Sequence, residues 1–312
     1  MIGTSIIRNG KLAAPAEAVF ALDDVDATYG YGCYETLKVR GGALFFSEFH
    51  EERLLRSAAI LGIGHSLRPG DMTKALGLLL RDNGATECNV KVMMIGHDGS
   101  PADWYAFLLP PVLPAASAYE RGVRCLLFRG ERHFPAAKSL SMLLSTIAYR
   151  AASGLGCYDA LLVNGRGEIT EGTRTNVVYA RRGEPDVLYT PPSSVALEGI
   201  TRRTLIAALA EAGVRTVERP LTIADALGGG FSLALTSTSS RVMPVRSLSG
   251  AGVGASVGAG GSGEEAPLEP LRAASMEAGA ERRVAVESCA EIDRARLVYD
   301  AYLERYASEH RP

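Results

Sequence analysis

The stretch "PPVLPAASAYERG", residues 110–122, constrains this chain more than any other. Its prolines fix φ and supply no backbone N–H, so neither a helix nor a β-ladder can run through it and the chain must divide there. The hydrophobic period differs on the two sides. Before the break lie short strand-like runs, "TLKVRGGALFF" with a Gly-Gly hairpin signal, "NVKVMMIG" and "YAFLLP". Helical patterns separate them at "SEFHEERLLRSAAILGI" and "PGDMTKALGLLLRDNG". Ser47 reads as the N-cap of the first helix, with Glu48 and Glu51 in its first turn and Leu54, Leu55, Ala58 and Ile60 on its apolar face. Residues 1–113 therefore read as a small α+β domain and 114–122 as a linker.

The larger unit expected over 123–312 opens at "VRCLLF" and alternates strands ("DALLVN", "EITEG", "TNVVYAR", "DVLYTPP") with helices ("GITRRTLIAALAEAG", "TIADAL"), then returns to a β-like run at "FSLALTSTS". Residues 249–266, "SGAGVGASVGAGGSGEEA", have too few large side chains to offset their ordering entropy and read as a mobile surface insertion. No lysine-serine or lysine-threonine pair follows these glycines, so they are not read as a phosphate loop. The pattern turns helical again at "EIDRARLVYDAYLERYA", with Ile292, Leu297, Tyr299 and Leu303 as apolar candidates for packing onto the second domain. With 312 residues, 47% hydrophobic and 22% charged, there is material for two cores. A net charge of −2 gives no electrostatic footprint for nucleic acid, and no apolar run approaches the roughly 18 residues that span a membrane. Five scattered cysteines show neither zinc-site nor disulfide spacing, which points to a reducing, cytoplasmic setting. The N-terminal residues do not resemble a secretory signal.

One lysine, Lys138, interrupts the nearly uncharged run "FPAAKSLSMLLSTIAYRAASGLG". A lysine there would ordinarily carry its ammonium to water; a buried one needs a partner or must lose its proton. Other residues supply a context. Glu171 stands beside a glycine in "EITEGTRTNVVYA", a Gly-Ile-Thr opens a helix in "EGITRRTL", and "TSTSSRVMPV" holds a hydroxyl-rich turn. Helix N-termini and such turns present the N–H and O–H donors that hold phosphate, and Arg53 could add charge. Singly, Glu171 would be a solvated turn residue and Arg53 half of an ion pair with Glu52 or a neighbour. Together they suit a phosphorylated cofactor with a carbonyl for the lysine and a ring nitrogen for the carboxylate.

In this order, "GCYETLKV", "HEERLLRSA", "AAKSLSMLLS", "DALLVNGRGEITEGTRTNVVYA", "LYTPP", "EGITRRTL" and "LALTSTSSRVMPV" resemble the class IV pyridoxal-phosphate enzymes of fold type IV, over roughly residues 20–247. That family includes branched-chain and D-amino-acid aminotransferases, R-selective amine transaminases and aminodeoxychorismate lyase. The resemblance implies an α/β fold with an α+β small domain and a larger β-rich domain, pyridoxal 5′-phosphate as cofactor, and a homodimer. It implies that Lys138 is the Schiff-base lysine and proton shuttle, and that Glu171 pairs with the protonated pyridine nitrogen. Arg53, Ile200, Thr201, Ser237 and Thr238 would form the phosphate cup, and Tyr34 would line the site. The implied reaction is ping-pong transfer of an amino group between an amino acid and a 2-oxo acid; the alternatives are pyruvate elimination by a lyase and, more remotely, a non-catalytic homologue.

Departures from the pattern bear on the substrate. Branched-chain enzymes usually carry a tyrosine five residues after the lysine and a Phe-Glu-Gly-Ile-Arg motif, where this chain has Leu143 and "YETLK". The Arg-x-His carboxylate trap of D-amino-acid enzymes has no arginine counterpart in "MIGHDGSPADWYAF". Arg174, three residues after Glu171, is then the best candidate to bind a substrate carboxylate, with Lys38, Arg40 and His97 behind it. The lyases share "GC", a following aromatic and Thr36, which keeps that alternative in view.

Overall fold

The computed structural model describes residues 1–250 and 283–311. Its contacts divide the chain into two units, Met1–Leu113 with Ala136–Met142 and Ala301–Pro312, and Pro114–Pro135 with Leu143–Asp300. Residues 136–142 and 301–312, expected in the larger domain, thus count with the first unit.

In the first unit the strands are β1 (Ile2–Arg8), β2 (Lys11–Ala13), β3 (Gly32–Arg40), β4 (Ala43–Leu44), β5 (Cys88–His97) and β6 (Ser100–Leu109). They form an antiparallel sheet in the order β2-β1-β6-β5-β3-β4. The Gly41-Gly42 pair turns β3 into β4 with positive φ at both residues, which only glycine adopts without strain. Helices α1 (Val25–Thr28), α2 (Ser47–Leu61) and α3 (Asp71–Asp82) complete the unit. Alternation along the strands sends Leu37, Val39, Val90, Val92 and Met94 into one core with Leu54 and Ala58 of α2 and Leu76 and Leu79 of α3. Burying a leucine such as Leu54 contributes roughly 2 kcal/mol. Glu51 on α2 accepts from the Met72 N–H and the Thr73 hydroxyl and so caps α3 from outside.

Two local expectations are corrected here. Ser47 is the first residue of α2, not its N-cap: Phe46 holds that position in a left-handed conformation, φ 54, with no side-chain cap. The compensation is aromatic, since Phe46 packs on Tyr302 and Tyr306 and donates its N–H to the Tyr306 hydroxyl. The same contacts account for residues 301–312 counting with this unit. Ile60 is exposed, on the side of α2 away from the buried stripe set by Leu54 and Ala58.

The second unit begins with α4 (Ala116–Arg121), inside the expected linker, and β7 (Val123–Arg129). There follow α5 (Leu143–Gly154), β8 (Asp159–Val163), β9 (Glu168–Gly172), β10 (Asn176–Arg181) and β11 (Val187–Thr190). Next are α6 (Ile200–Glu211), β12 (Arg215–Glu218), β13 (Leu221–Thr222) and α7 (Ile223–Leu227). The chain continues with β14 (Phe231–Ser237), β15 (Arg241–Ser249), β16 (Arg283–Ala285) and α8 (Ala290–His310), whose residues to Asp300 belong here. The strand order is β12-β11-β10-β14-β15-β7-β8-β9-β13, and an added β10–β9 pairing closes the path on itself. Strand β7 reads as a continuous apolar run because both its faces are covered: Cys125 and Leu127 join the core inside, while Leu126 and Phe128 pack with Ala148 and Ala152 of α5.

Of the expected Gly-rich insertion 249–266, Ser249 ends β15, Gly250 follows it, and the rest lies outside the described residues. On α8, Ile292 and Tyr299 are buried as expected, while Leu297 is exposed. No helix among the described residues is long and apolar enough to cross a membrane.

Candidate active site

Lys138 owes its position to backbone pairing. The Tyr34 N–H donates to the Lys138 carbonyl at 2.9 Å and the Leu140 N–H to the Gly32 carbonyl at 2.8 Å, so residues 138–140 pair with the start of β3. This is why the lysine segment counts with the first unit. The Lys138 N–H donates to Ser57 Oγ at 3.0 Å, and that hydroxyl donates to the Arg53 carbonyl at 2.8 Å, tying the segment to α2. The half-buried Lys138 sets its Nζ 4.6 Å from the centroid of the Tyr34 ring, within cation–π range. Tyr34, expected to line the site, therefore faces the expected cofactor lysine.

Arg53 is buried on α2. Its Nε and Nη2 donate to the two oxygens of Glu35, both at 2.7 Å, and His50 Nδ1 meets Glu35 Oε2 at 2.7 Å. The spacing of three residues puts His50 and Arg53 on one face of α2, toward β3. Glu35 occupies the core-facing row of β3 and is fully buried. Burial alone would push its carboxyl up, but the charge and hydrogen bonds of Arg53, then of His50, outweigh that and hold it well below the ordinary carboxylate range. Burial pushes the His50 imidazole down, against the pull of Glu35 and with the repulsion of Arg53 and Lys138.

Asn176 organises the second unit's candidate residues. On β10 it pairs with Glu171 of β9 on one side and with Thr236 of β14 on the other, next to Ser237. Its Nδ2 donates to the Leu197 carbonyl at 2.7 Å, and its Oδ1 lies where a Cβ on Gly199 would sit, 1.9 Å from that position. Gly199 is the N-cap of α6 and offers no side-chain cap. The amides of Ile200 and Thr201 open the helix, where the first N–H groups have no intrahelical acceptor and carry the positive end of the helix dipole. Ser237 Oγ shares a hydrogen bond with Ser240 Oγ at 2.6 Å and accepts the Ser240 N–H, which fixes the turn that carries Thr238. This donor set fits a phosphate, and a buried carboxylate across one strand pair fits a ring N–H; the residues present suit pyridoxal phosphate. Arg132 reaches Glu171, Nη1 to Oε1 3.4 Å.

Arg174 is exposed. Its guanidinium lies 3.8 Å from the Tyr149 ring centroid and Nη2 donates to the Tyr158 carbonyl at 3.3 Å. On either side, Thr173 and Thr175 donate to the buried Asp159, anchoring the turn. Burial pushes the Asp159 carboxyl up, while those hydroxyls and the charge of Arg174 draw it back.

The amino-transferase class IV family profile matches residues 32–248, which spans β3 through most of β15. The chain belongs to that family. Its members are pyridoxal-phosphate-dependent enzymes that work through Schiff-base chemistry, and this family member has their two-unit fold with a larger β-rich unit. It is 30% identical over 262 residues to a Methanocaldococcus jannaschii protein provisionally named a branched-chain-amino-acid aminotransferase, covering 78% of this chain and 88% of that one. It is 28% identical to the D-alanine aminotransferase of Bacillus licheniformis, over 80% and 90% of the two chains. A hypothetical aminotransferase from Mycobacterium tuberculosis, solved in its PLP-bound form, is 25% identical with a TM-score of 0.66, over 78% and 90%.

The sequence reading missed Glu35, His50, Asn176 and Arg132. Two of them carried a signal: the His-x-x-Arg spacing on a helix, and an acid alternating with Cys33, Leu37 and Val39 in a core-facing strand row.

Proposed function

We propose that this class IV enzyme is an aminotransferase that moves an amino group between an α-amino acid and a 2-oxo acid in a ping-pong cycle, with Lys138 as its catalytic lysine. The observation that carries the reading is the setting of Lys138: a lysine in a small-residue segment, pinned through its own N–H and C=O, with its amine over Tyr34. When bound, pyridoxal phosphate supplies a carbonyl for amines and a ring that takes up the electrons left when the substrate Cα proton departs. Lys138 Nζ takes that proton and returns it. Glu171 favours the protonated ring nitrogen, and the amides of Ile200 and Thr201 with Ser237 and Thr238 hold the phosphate; the family resemblance adds Arg53, whose Nε and Nη2 are paired with Glu35, to the phosphate contacts. Arg174 is the proposed receptor for the substrate carboxylate. The family resemblance extends the proposal to a homodimer.

The relatives' names span branched-chain and D-alanine transamination, which supports α-amino acids as the substrate class and leaves the enantiomer to experiment. A lyase reading is favoured by the Gly-Cys-aromatic start of β3 and by Thr36, on the same strand face as Tyr34. The test is a screen of both enantiomers of a set of amino donors with 2-oxo acids, run beside aminodeoxychorismate. Amino transfer without pyruvate release from aminodeoxychorismate is expected; pyruvate release with no transfer would make the protein a lyase.

A further inference from the structure

Glu171 owes its direction to an irregularity in its strand. Between Ile169 and Gly172, β9 takes three steps where β8 takes two, Val163 to Leu161, so an extra residue is accommodated at Thr170 and Glu171. A bulge of this kind turns a side chain out of the regular alternation. Glu171 stays buried there, and its Oε1 lies 3.4 Å from Arg132 Nη1. Arg132 comes from the segment after β7, whose Gly130 N–H still donates to the Val163 carbonyl of β8. Strand β8 separates β7 from β9, so that segment and the long arginine side chain together cover the spacing. Both residues belong to the second unit. The Arg132 side chain is 17% exposed and that of Glu171 5%, so water and salt screen this pair far less than a surface pair.

We infer that Arg132 is a positioning residue that acts through Glu171: its charge decides that the proton shared between the Glu171 carboxylate and a bound pyridine nitrogen rests on the nitrogen. The inference rests on the reading of Glu171 as the partner of the pyridoxal phosphate ring.

A proton between a carboxylate and a pyridine has two places to rest. On the nitrogen it leaves two opposite charges side by side; on the oxygen it leaves none. Burial works against the charged arrangement, because both ions give up solvation. A third charge tips the balance according to which of the two groups it stands nearer. Arg132 contacts the carboxylate itself, so it is nearer to that group than to a ring the carboxylate holds. Its guanidinium therefore stabilises the Glu171 anion more than it repels a proton on the ring, and the charged arrangement gains. A protonated ring nitrogen is what lets the ring accept electrons. Arg132 thus sets the strength of the electron sink without needing to touch substrate or ring.

The test loads the full chain with pyridoxal phosphate labelled at its ring nitrogen and reads that nitrogen by magnetic resonance at neutral pH, where protonated and unprotonated rings resonate far apart. The wild type is expected in the protonated range, and Glu171→Gln, which holds no anion, in the unprotonated range. Arg132→Met should move the proton balance toward oxygen by about tenfold, equivalent to one pKa unit, and so shift the resonance toward the Glu171→Gln position. Arg132→Lys, which keeps a charge, should restore most of that shift. A merely structural arginine would leave the resonance of bound cofactor where it was. An unmoved resonance in Arg132→Met, or no restoration in Arg132→Lys, overturns the inference. If Arg132→Met does not fold or hold the cofactor, Arg132→Gln, which keeps a donor and removes the charge, is read against the same criterion. A wild-type ring that is already unprotonated, or one that Glu171→Gln leaves protonated, defeats the reading of Glu171 and the inference with it, whereas a protonated wild type that responds to Glu171→Gln and not to Arg132→Met defeats the inference alone.

Discussion

At the scale of single residues, the buried Glu35 and the exposed Arg174 make opposite demands. Glu35 is held far below its unfolded range by Arg53 and His50, so its contribution to stability is present above the unfolded carboxyl value near 4.3 and is lost as pH falls toward the folded value. His50 is also depressed, so its contribution fades as pH falls below the unfolded imidazole value of about 6.5. Both effects destabilise on the acid side. Glu35→Gln should cost about 3–5 kcal/mol at neutral pH, because it leaves Arg53 buried without its anion, and should flatten the acid limb below about pH 5. Urea unfolding of the cofactor-free chain at several pH values, followed by the fluorescence of the single tryptophan, Trp104 of the first unit, measures both; an unchanged acid limb would remove Glu35 as its source. Arg174 is exposed and already shares its guanidinium with Tyr149 and the Tyr158 carbonyl, so a carboxylate bound there gains less than at a dry site. Arg174→Ala should lower kcat/KM for an amino acid by about 1–2 kcal/mol, mainly through KM, and spare the matching amine that lacks the carboxylate. Equal losses for acid and amine would assign Arg174 to the turn and send the search for the carboxylate receptor to Lys38, Arg40 or His97.

At the scale of elements, the start of α6 was legible and its setting was not. "GITRR" reads as a helix start from sequence because glycine precedes a helix-compatible run, yet nothing in that string announces that Asn176, more than twenty residues earlier, packs its carboxamide against Gly199. The missing signal is long-range, a side chain on a neighbouring strand fixing a helix terminus. It carries a consequence. A Cβ at residue 199 would fall 1.9 Å from Asn176 Oδ1, and the carboxamide cannot turn away without losing its bond to the Leu197 carbonyl. Gly199→Ala should therefore displace the first turn of α6 and weaken pyridoxal phosphate about 10- to 100-fold, or roughly 1.4–2.7 kcal/mol, while pyridoxal without its phosphate is nearly unaffected. Equilibrium dialysis of the two ligands gives the ratio, and equal weakening of both would show that α6 does not hold the phosphate. The Ser47 reading failed for a related reason. Serine before an apolar periodic run is a sound cap signal, but here aromatic packing around Phe46 sets the helix start one residue earlier.

At the scale of the whole molecule, period and punctuation exposed most of the strands and helices, because apolar alternation and prolines act over a few residues. Membership of residues 136–142 in the first unit could not be read that way: it depends on two backbone hydrogen bonds to β3, a hundred positions earlier in the chain, which leave no mark on composition. The candidate residues were legible only through their order along the chain, since each alone has a commoner explanation as a solvated or paired surface group. Glu35 stayed hidden because an acid in a core row makes sense only once the β3 face that meets α2 is known. The account as a whole stands on Lys138. Purified chain loaded with pyridoxal phosphate, reduced with borohydride and digested, tests it most directly: the account predicts the reduced pyridoxyl group on the peptide containing Lys138 and its loss in Lys138→Ala, whereas a modification mapped to Lys91 or any other lysine, or one that persists undiminished in Lys138→Ala, would contradict it.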